Sequence, residues 1–318
     1  MVNRGPSARM ALMNDKRGFF FTALTIVLIS LFLLTYGIYN EFKERTSEQK
    51  RVKTLNGFLQ SLEADLERQA YIMGFRAIFI IESKIGETGV YSSSVLAQTN
   101  EIIKNGTLEG ISQPLMIGAT FNEIVTTANE KALKLNAEIN FTSPTITVFQ
   151  TDPWNVIIQI NSTMHLRDRN NKAAWILNKS IEVPIRVENF EDPLYTLNTN
   201  GLITNKITKT PTTLFTQGSD VSVLLAHATN SYYTETPLAP NFINRLEGNL
   251  TPSPTGIESL VNLQELSGAG VIVQDKTVID HIYFSGQTPL SYRIQGMPSW
   301  FKVSSDHLTL YGVENLTL

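Results

Sequence analysis

Apolar and polar positions along the chain fall into three successive patterns. Phe19 to Tyr39, FFFTALTIVLISLFLLTYGIY, is an unbroken run with no Asp, Glu, Lys, Arg or His. At about 1.5 Å of helical rise per residue it reaches roughly 30 Å, the thickness of a bilayer hydrocarbon core, and so predicts a membrane-spanning helix. From Glu41 to about Ile85 the pattern becomes amphipathic: Val52, Leu55, Leu59, Leu62, Leu66, Met73, Ala77 and Ile80 recur at spacings of three, four and seven, with Glu63, Asp65, Glu67 and Arg68 on other faces. This seam predicts a helical stem that packs on its own domain or pairs with other copies in a coiled coil. Asn56-Gly57 predicts a bend within it, since Gly costs about 1 kcal/mol relative to Ala in a helix interior.

Periodicity fades among the Gly, Ser and Thr of residues 86–113, and Pro114 precedes a second helical pattern, Phe121 to Ile139. The period then changes to two. Ile146 to Phe149 reads as a strand, Trp154 to Leu166 as a longer one, and Ala173 to Val187 as its return across the polar turn Asp168-Arg169-Asn170-Asn171-Lys172. Pro184 places that return strand at a sheet edge or interrupts it. Glu191 to Thr212 reads as an irregular junction. Beyond it the expected elements are a helix capped by Ser219-Asp220 and running to about Tyr232, a helix over Gly256 to Leu266, and strands at Gly270 to Val273, Val278 to Phe284 and Leu290 to Ile294.

The expected class is α+β: an N-terminal transmembrane helix and long helical stem followed by an ectodomain containing an antiparallel sheet. The segments are a basic leader at 1–18, the span at 19–39, the stem at 40–85, an α+β part with a β-hairpin at 86–190, and a second α+β part at 191–318.

Charge adds orientation. Arg4, Arg9, Lys16 and Arg17 precede the span against a single Asp15, whereas Glu41, Lys43, Glu44 and Arg45 nearly cancel after it. Basic flanks stay in the cytoplasm, so the large C-terminal part is expected outside the cell membrane. A cleaved secretory signal shares the basic flank, but this apolar run is longer than a usual signal core and ends on the bulky Tyr36-Gly37-Ile38-Tyr39. With 26 Lys and Arg against 29 Asp and Glu, and no basic patch beyond the span, nucleic acid is not an expected partner. The absence of cysteine excludes disulfides, thiolate metal sites and a Cys nucleophile.

Lys16-Arg17-Gly18 followed by Phe19-Phe20-Phe21-Thr22 resembles the class III signal of archaeal type IV pilin-like proteins, in which a basic pair and a Gly precede a long apolar helix. The resemblance implies leader cleavage between Gly18 and Phe19, with the apolar helix retained. Ala23 stands where many bacterial-type pilins carry Glu. Glu191-Asp192-Pro193-Leu194-Tyr195, Arg245-Leu246-Glu247-Gly248-Asn249, Gly256-Ile257-Glu258-Ser259-Leu260 and Asp280-His281-Ile282-Tyr283-Phe284 resemble segments of uncharacterised archaeal membrane-anchored surface proteins.

Candidate chemistry is sparse. His165, His227, His281 and His307 show no helical ligand spacing, so no metal site and no cofactor is expected. Asp280-His281 lacks a Gly-x-Ser-x-Gly elbow and reads as structural. Neither a Walker motif nor a dinucleotide fingerprint is present. Glu188 with Glu191, and Asp306 near Glu314, read as solvated surface charge. Asn105, Asn140, Asn161, Asn178 and Asn315 head N-x-S/T sequons and are the expected glycosylation positions if the domain is extracellular; Asn249 heads another, with Pro252 following its Thr. Tyr232-Tyr233, Trp300 and Phe301 fit a core, or a glycan-binding face.

The expected function is therefore that of a single-pass, membrane-anchored cell-surface structural or interaction protein, a pilin-like subunit if the resemblance holds, and no enzyme. Its expected partners are the lipid bilayer, other copies through the apolar helix, and surface glycans or proteins. A membrane-tethered extracellular hydrolase acting on surface polymers is the alternative, one for which the chain offers no nucleophile, acid–base or metal pattern.

Overall fold

The computed structural model describes residues 16–318, so the 1–18 leader lies almost wholly outside the described residues. The chain divides into two compact units, Met1–Leu59 and Gln60–Leu318. The boundary falls inside one helix, α1 (Lys16–Thr88), which is continuous through Asn56-Gly57. Helical hydrogen bonding therefore persists through the Asn56-Gly57 pair at which the sequence suggests a bend.

Within the first unit every side chain from Gly18 to Asn40 is exposed. The polar atoms of this stretch are largely satisfied by the helix itself. The Thr25 hydroxyl donates to the Phe21 carbonyl at 2.8 Å and Thr35 to Leu31 at 2.7 Å, while Thr22 donates to Phe19 and Gly18 at 2.9 and 3.1 Å. Val52, expected in the seam, is exposed.

Within the second unit the seam is a core face. Leu62, Leu66, Ala70, Met73, Ala77, Ile78, Ile81 and Ile85 are buried. Gly74 sits where α1 meets the sheet: a β-carbon there would lie 2.8 Å from Ile158 Cδ1 and 3.2 Å from Ile185 Cδ1. The helix accepts the propensity cost of Gly so that its axis can approach the strands. Lys179 pairs with Glu63 at 2.5 Å, and the Arg76 guanidinium donates to the Leu115 carbonyl at 2.6 Å.

Residues 86–113, where no period is visible, hold a helix and a small hairpin. Helix α2 (Val95–Asn105) begins on the Ser94 side chain, which accepts from Ala97 N, and ends on Gly106 at φ 71°. Two-residue strands β1 (Thr107–Leu108) and β2 (Ile111–Ser112) follow. Helix α3 (Phe121–Lys134) opens with a Thr120/Glu123 capping box and ends before Ile139, which lies instead in β3 (Ala137–Asp152). With β4 (Asn155–Asp168) and β5 (Ala174–Arg186) it forms an antiparallel meander in the order β3-β4-β5. The first strand starts nine residues before the expected one, because its N-terminal half alternates Ala137, Ile139 and Phe141 inward with polar residues outward. The expected β4–β5 hairpin is present, and Pro184 lies on the edge strand opposite Ile157. Val156, Ile158, Ile160, Met164 and Leu166 face the core from β4, and Gln159, Asn161, Thr163 and His165 face outward.

The C-terminal half is built from short pieces: α4 (Pro193–Asn198), α5 (Ser222–Thr229), β6 (Tyr233–Glu235), α6 (Phe242–Leu246), β7 (Ile257–Ser259), α7 (Leu263–Gly268), α8 (Asp280–Tyr283), β8 (Ser291–Arg293), β9 (Lys302–Ser304) and α9 (Leu308–Tyr311). They enclose an apolar cluster that includes Leu224, Leu260, Val278, Phe301 and Val313. Several expectations are corrected here. Gly256 to Leu266 is a strand followed by a short helix, Gly270 to Val273 is irregular, and Val278 to Phe284 contributes one β-bridge and then turns into α8. The helix after Ser219-Asp220 ends at Thr229, short of Tyr232, while the expected contact is present: Asp220 Oδ1 accepts from Ser222 N, the first helical residue, at 2.9 Å. Gly256 has no room for a side chain, since an added β-carbon would lie 2.0 Å from the Ala239 carbonyl oxygen. The Gly256 carbonyl accepts from Thr236 N at 3.0 Å, so the residue is committed to pairing with the neighbouring chain rather than to a helix.

Candidate functional site

The densest polar chemistry lies in the C-terminal half, and backbone pairing creates it. Val261 N donates to Val278 O at 2.7 Å and Leu260 bridges Ile279 in antiparallel sense. That register sets Ser259 beside Asp280 and Glu258 beside His281. Glu258 and Ser259 alternate along the extended β7, and Asp280 and His281 diverge on the first turn of α8, so the four side chains divide into two buried clusters.

The first cluster centres on Arg245, whose side chain is fully buried on α6. Nη1 donates to Asp192 Oδ2 at 2.5 Å and to Asp280 Oδ2 at 2.9 Å, and Nη2 donates to the Ile257 carbonyl. Asp192 also accepts from the Tyr233 hydroxyl at 2.8 Å and from Leu194 N at 3.0 Å. Asp280 accepts from Ser259 N at 3.0 Å, Ser259 Oγ at 2.8 Å and His281 N at 2.6 Å. Burial pushes the Asp192 carboxyl up despite the neighbouring guanidinium. For Arg245 burial acts downward, but the two carboxylates outweigh it and hold the guanidinium firmly charged.

The second cluster joins Glu258 on β7, His281 on α8 and His307 just before α9. One ligand-type atom from each lies within 4.8 Å of the other two. Glu258 Oε2 is 3.1 Å from His307 Nε2 and 3.5 Å from His281 Nε2, close enough for ion pairing. Neither contact has hydrogen-bond geometry, and all three atoms are buried without a hydrogen-bond partner. The opposite atoms are held: the Tyr311 hydroxyl donates to Glu258 Oε1 at 2.7 Å, and Ser304 Oγ lies 2.8 Å from His307 Nδ1. Burial would raise the Glu258 carboxyl, but the two imidazoles bring it down to about 2, so it stays a carboxylate.

A third feature is an open cavity of about 560 Å³ lined by Phe75, Phe79, Glu82, Phe190, Glu191 and Lys206 among others. Burial pushes Glu82 up from 4.5 to about 7, against the Glu191 backbone N–H that donates to it. Glu191 raises it further and Lys206 lowers it; Glu87 and Glu188 also face the cavity. The folded-state value lies above the unfolded one, so folding favours the protonated acid. Its stabilisation is complete below about pH 4.5 and disappears as the pH rises through about 7. Thermal unfolding of the wild type should therefore fall in temperature across that window by more than in Glu82→Gln, and parallel curves would exclude Glu82 as the cause.

The expected site residues fall elsewhere. Gly18 and Phe19 are exposed at the start of the apolar helix. Asn105, Asn140, Asn178 and Asn315 are exposed, and Asn161 is half-buried with its amide donating to Gln159 Oε1 at 3.1 Å. The register places Asn140, Asn161 and Asn178 on the outward sheet face with His165. Tyr233 and Phe301 are buried in the core, with Tyr232 and Trp300 only partly exposed, so these aromatics do not form a glycan-binding face. The side chains of Asp280 and His281 serve different clusters. Glu188 pairs with Arg186 at 3.1 Å. Sequence reasoning missed Asp192, Arg245, Glu258 and His307. The available signal was charge inside apolar pentapeptides, Ile257-Glu258-Ser259-Leu260-Val261 and Val278-Ile279-Asp280-His281-Ile282.

No family model, no curated protein and no solved structure matches this chain.

Proposed function

We propose that this is a single-pass membrane-anchored protein of the cell surface that acts through structure and interaction rather than catalysis. One observation carries the reading: among the described residues a single helix is long and apolar enough to cross a bilayer, and none of that apolar stretch is buried. Exposing this many contiguous Phe, Leu and Ile side chains to water is unfavourable at about 25 cal/mol per Å², and lipid removes the cost. The Thr hydroxyls that bond back to their own helix support the same surroundings, because a bilayer supplies no water to satisfy them. Tyr36 and Tyr39 end the stretch where aromatic side chains favour the membrane interface.

The basic flank from Arg4 to Arg17 keeps the preceding segment cytoplasmic and sends residues 40–318 outside. The ionic clusters support the non-catalytic reading: Arg245, Asp192, Asp280 and Glu258 have no exposed side-chain surface, so substrate cannot reach them. The pilin-like reading adds that the leader is cut after Gly18 and that freed apolar helices pack side by side with other copies.

Protease added to intact cells tests this. The expected result is loss of the 60–318 unit with a membrane-retained fragment that contains Phe19 to Tyr39, starting at Phe19 by mass if the leader is cut. A second unit protected until the membrane is opened would refute the orientation. Full release of the chain by carbonate at high pH would refute the anchor.

A further inference from the structure

We propose that Glu258, His281 and His307 form a buried binding site for one first-row divalent cation, with Zn²⁺ the best-fitting ion. Nothing in this inference depends on the membrane reading.

The geometry points to it first. Ligands on a tetrahedral zinc lie about 2.0–2.2 Å from the metal, which sets neighbouring ligand atoms about 3.3 Å apart. The two carboxylate–imidazole distances, 3.1 and 3.5 Å, fall on either side of that value. Three buried polar atoms converging without a hydrogen bond among them would each be costly if nothing filled the space between them. A cation placed there would satisfy all three together.

Outer contacts are those a metal site needs. When His307 Nδ1–H donates to Ser304 Oγ, the ring presents the Nε2 lone pair to the cluster. Tyr311 occupies Glu258 Oε1 and leaves Oε2 directed at the imidazoles. Imidazole with carboxylate suits zinc and its first-row neighbours rather than calcium or magnesium, which favour all-oxygen sets.

The ion would tie β7, α8 and the segment before α9 together. Three protein ligands leave a fourth position for a water molecule, and burial keeps that position away from substrate.

The test uses the full chain in detergent micelles, stripped with a chelator and then titrated with Zn²⁺ against a competing chromophoric chelator. About one zinc per chain is expected for the wild type, and also for the His165→Asn control, whose ring lies on the sheet. His281→Asn with His307→Asn should abolish binding. Should that pair fail to fold, Ser304→Ala, which leaves all three ligands in place, should weaken Zn²⁺ affinity by roughly 10- to 100-fold. Cobalt loaded in place of zinc should give the visible spectrum of a tetrahedral site. Retention of another first-row ion at the same stoichiometry from the native source would also support the site. No stoichiometric binding by folded wild type would overturn it, as would unaltered affinity in Ser304→Ala or loss of binding in His165→Asn.

Discussion

Arg245→Met should cost the second unit about 3–5 kcal/mol, because it removes the only cation among the described residues within hydrogen-bond reach of Asp192 and Asp280 and leaves both carboxylates buried. Against a typical domain stability of about 5–15 kcal/mol, that is enough to leave much of the protein unfolded at modest temperature. Methionine keeps an unbranched apolar stem, so the loss reports the charge together with the hydrogen bond to the Ile257 carbonyl. Arg245→Lys should recover part of it, since an ammonium keeps the charge but lacks the planar fork that reaches Asp192, Asp280 and the Ile257 carbonyl together. Thermal unfolding of full-length protein in mild detergent, followed by near-ultraviolet circular dichroism, measures both. A loss below about 1 kcal/mol for Arg245→Met, the size of a surface ion pair, would mean that water reaches the carboxylates.

Leu28→Arg should weaken membrane insertion by about 2.5–3.5 kcal/mol, the cost of a guanidinium at the centre of a spanning helix, whereas Thr46→Arg should leave it nearly unchanged. Both positions are exposed or nearly so on the same helix, and both substitutions preserve helix propensity. Only the surroundings differ. Partitioning between membrane and soluble fractions after expression reads the contrast, and equal behaviour of the two variants would rule out a span over Phe19 to Tyr39.

Local signals in the chain were enough for elements whose stability is mostly their own. The apolar run from Phe19 specifies helix by its unbroken length, and the spacing from Leu62 to Ile80 does so because 3.6-residue periodicity places those residues on one stripe, which the structure buries in the second unit. The β4–β5 hairpin was legible for the same reason, with alternation on both sides of a polar turn. Helix α2 was not legible: Val95, Gln98, Thr99, Ile102 and Ile103 make its buried face, and two of those five are polar residues that periodicity does not count. The stretch from Gly256 misled because Ile257, Leu260, Val261 and Leu263 have helix-like spacing. Backbone contact at Gly256 and pairing with β6 override that spacing.

The polar clusters show where sequence stops. Asp192, Arg245, Glu258, Asp280 and His307 lie in five separate elements or their caps, and no interval between them has a period. The sequence by itself determined the mixed class of the chain, its long apolar N-terminal helix, the charge asymmetry across that helix and the sheet hairpin, because each depends on residues within a few turns or strands of one another. Tertiary structure alone decided which charges are buried and with whom, because one backbone register, Leu260 against Ile279, sorts Ser259 with Asp280 and Glu258 with His281. A shift of that register by one residue would part Ser259 from Asp280 and Glu258 from His281.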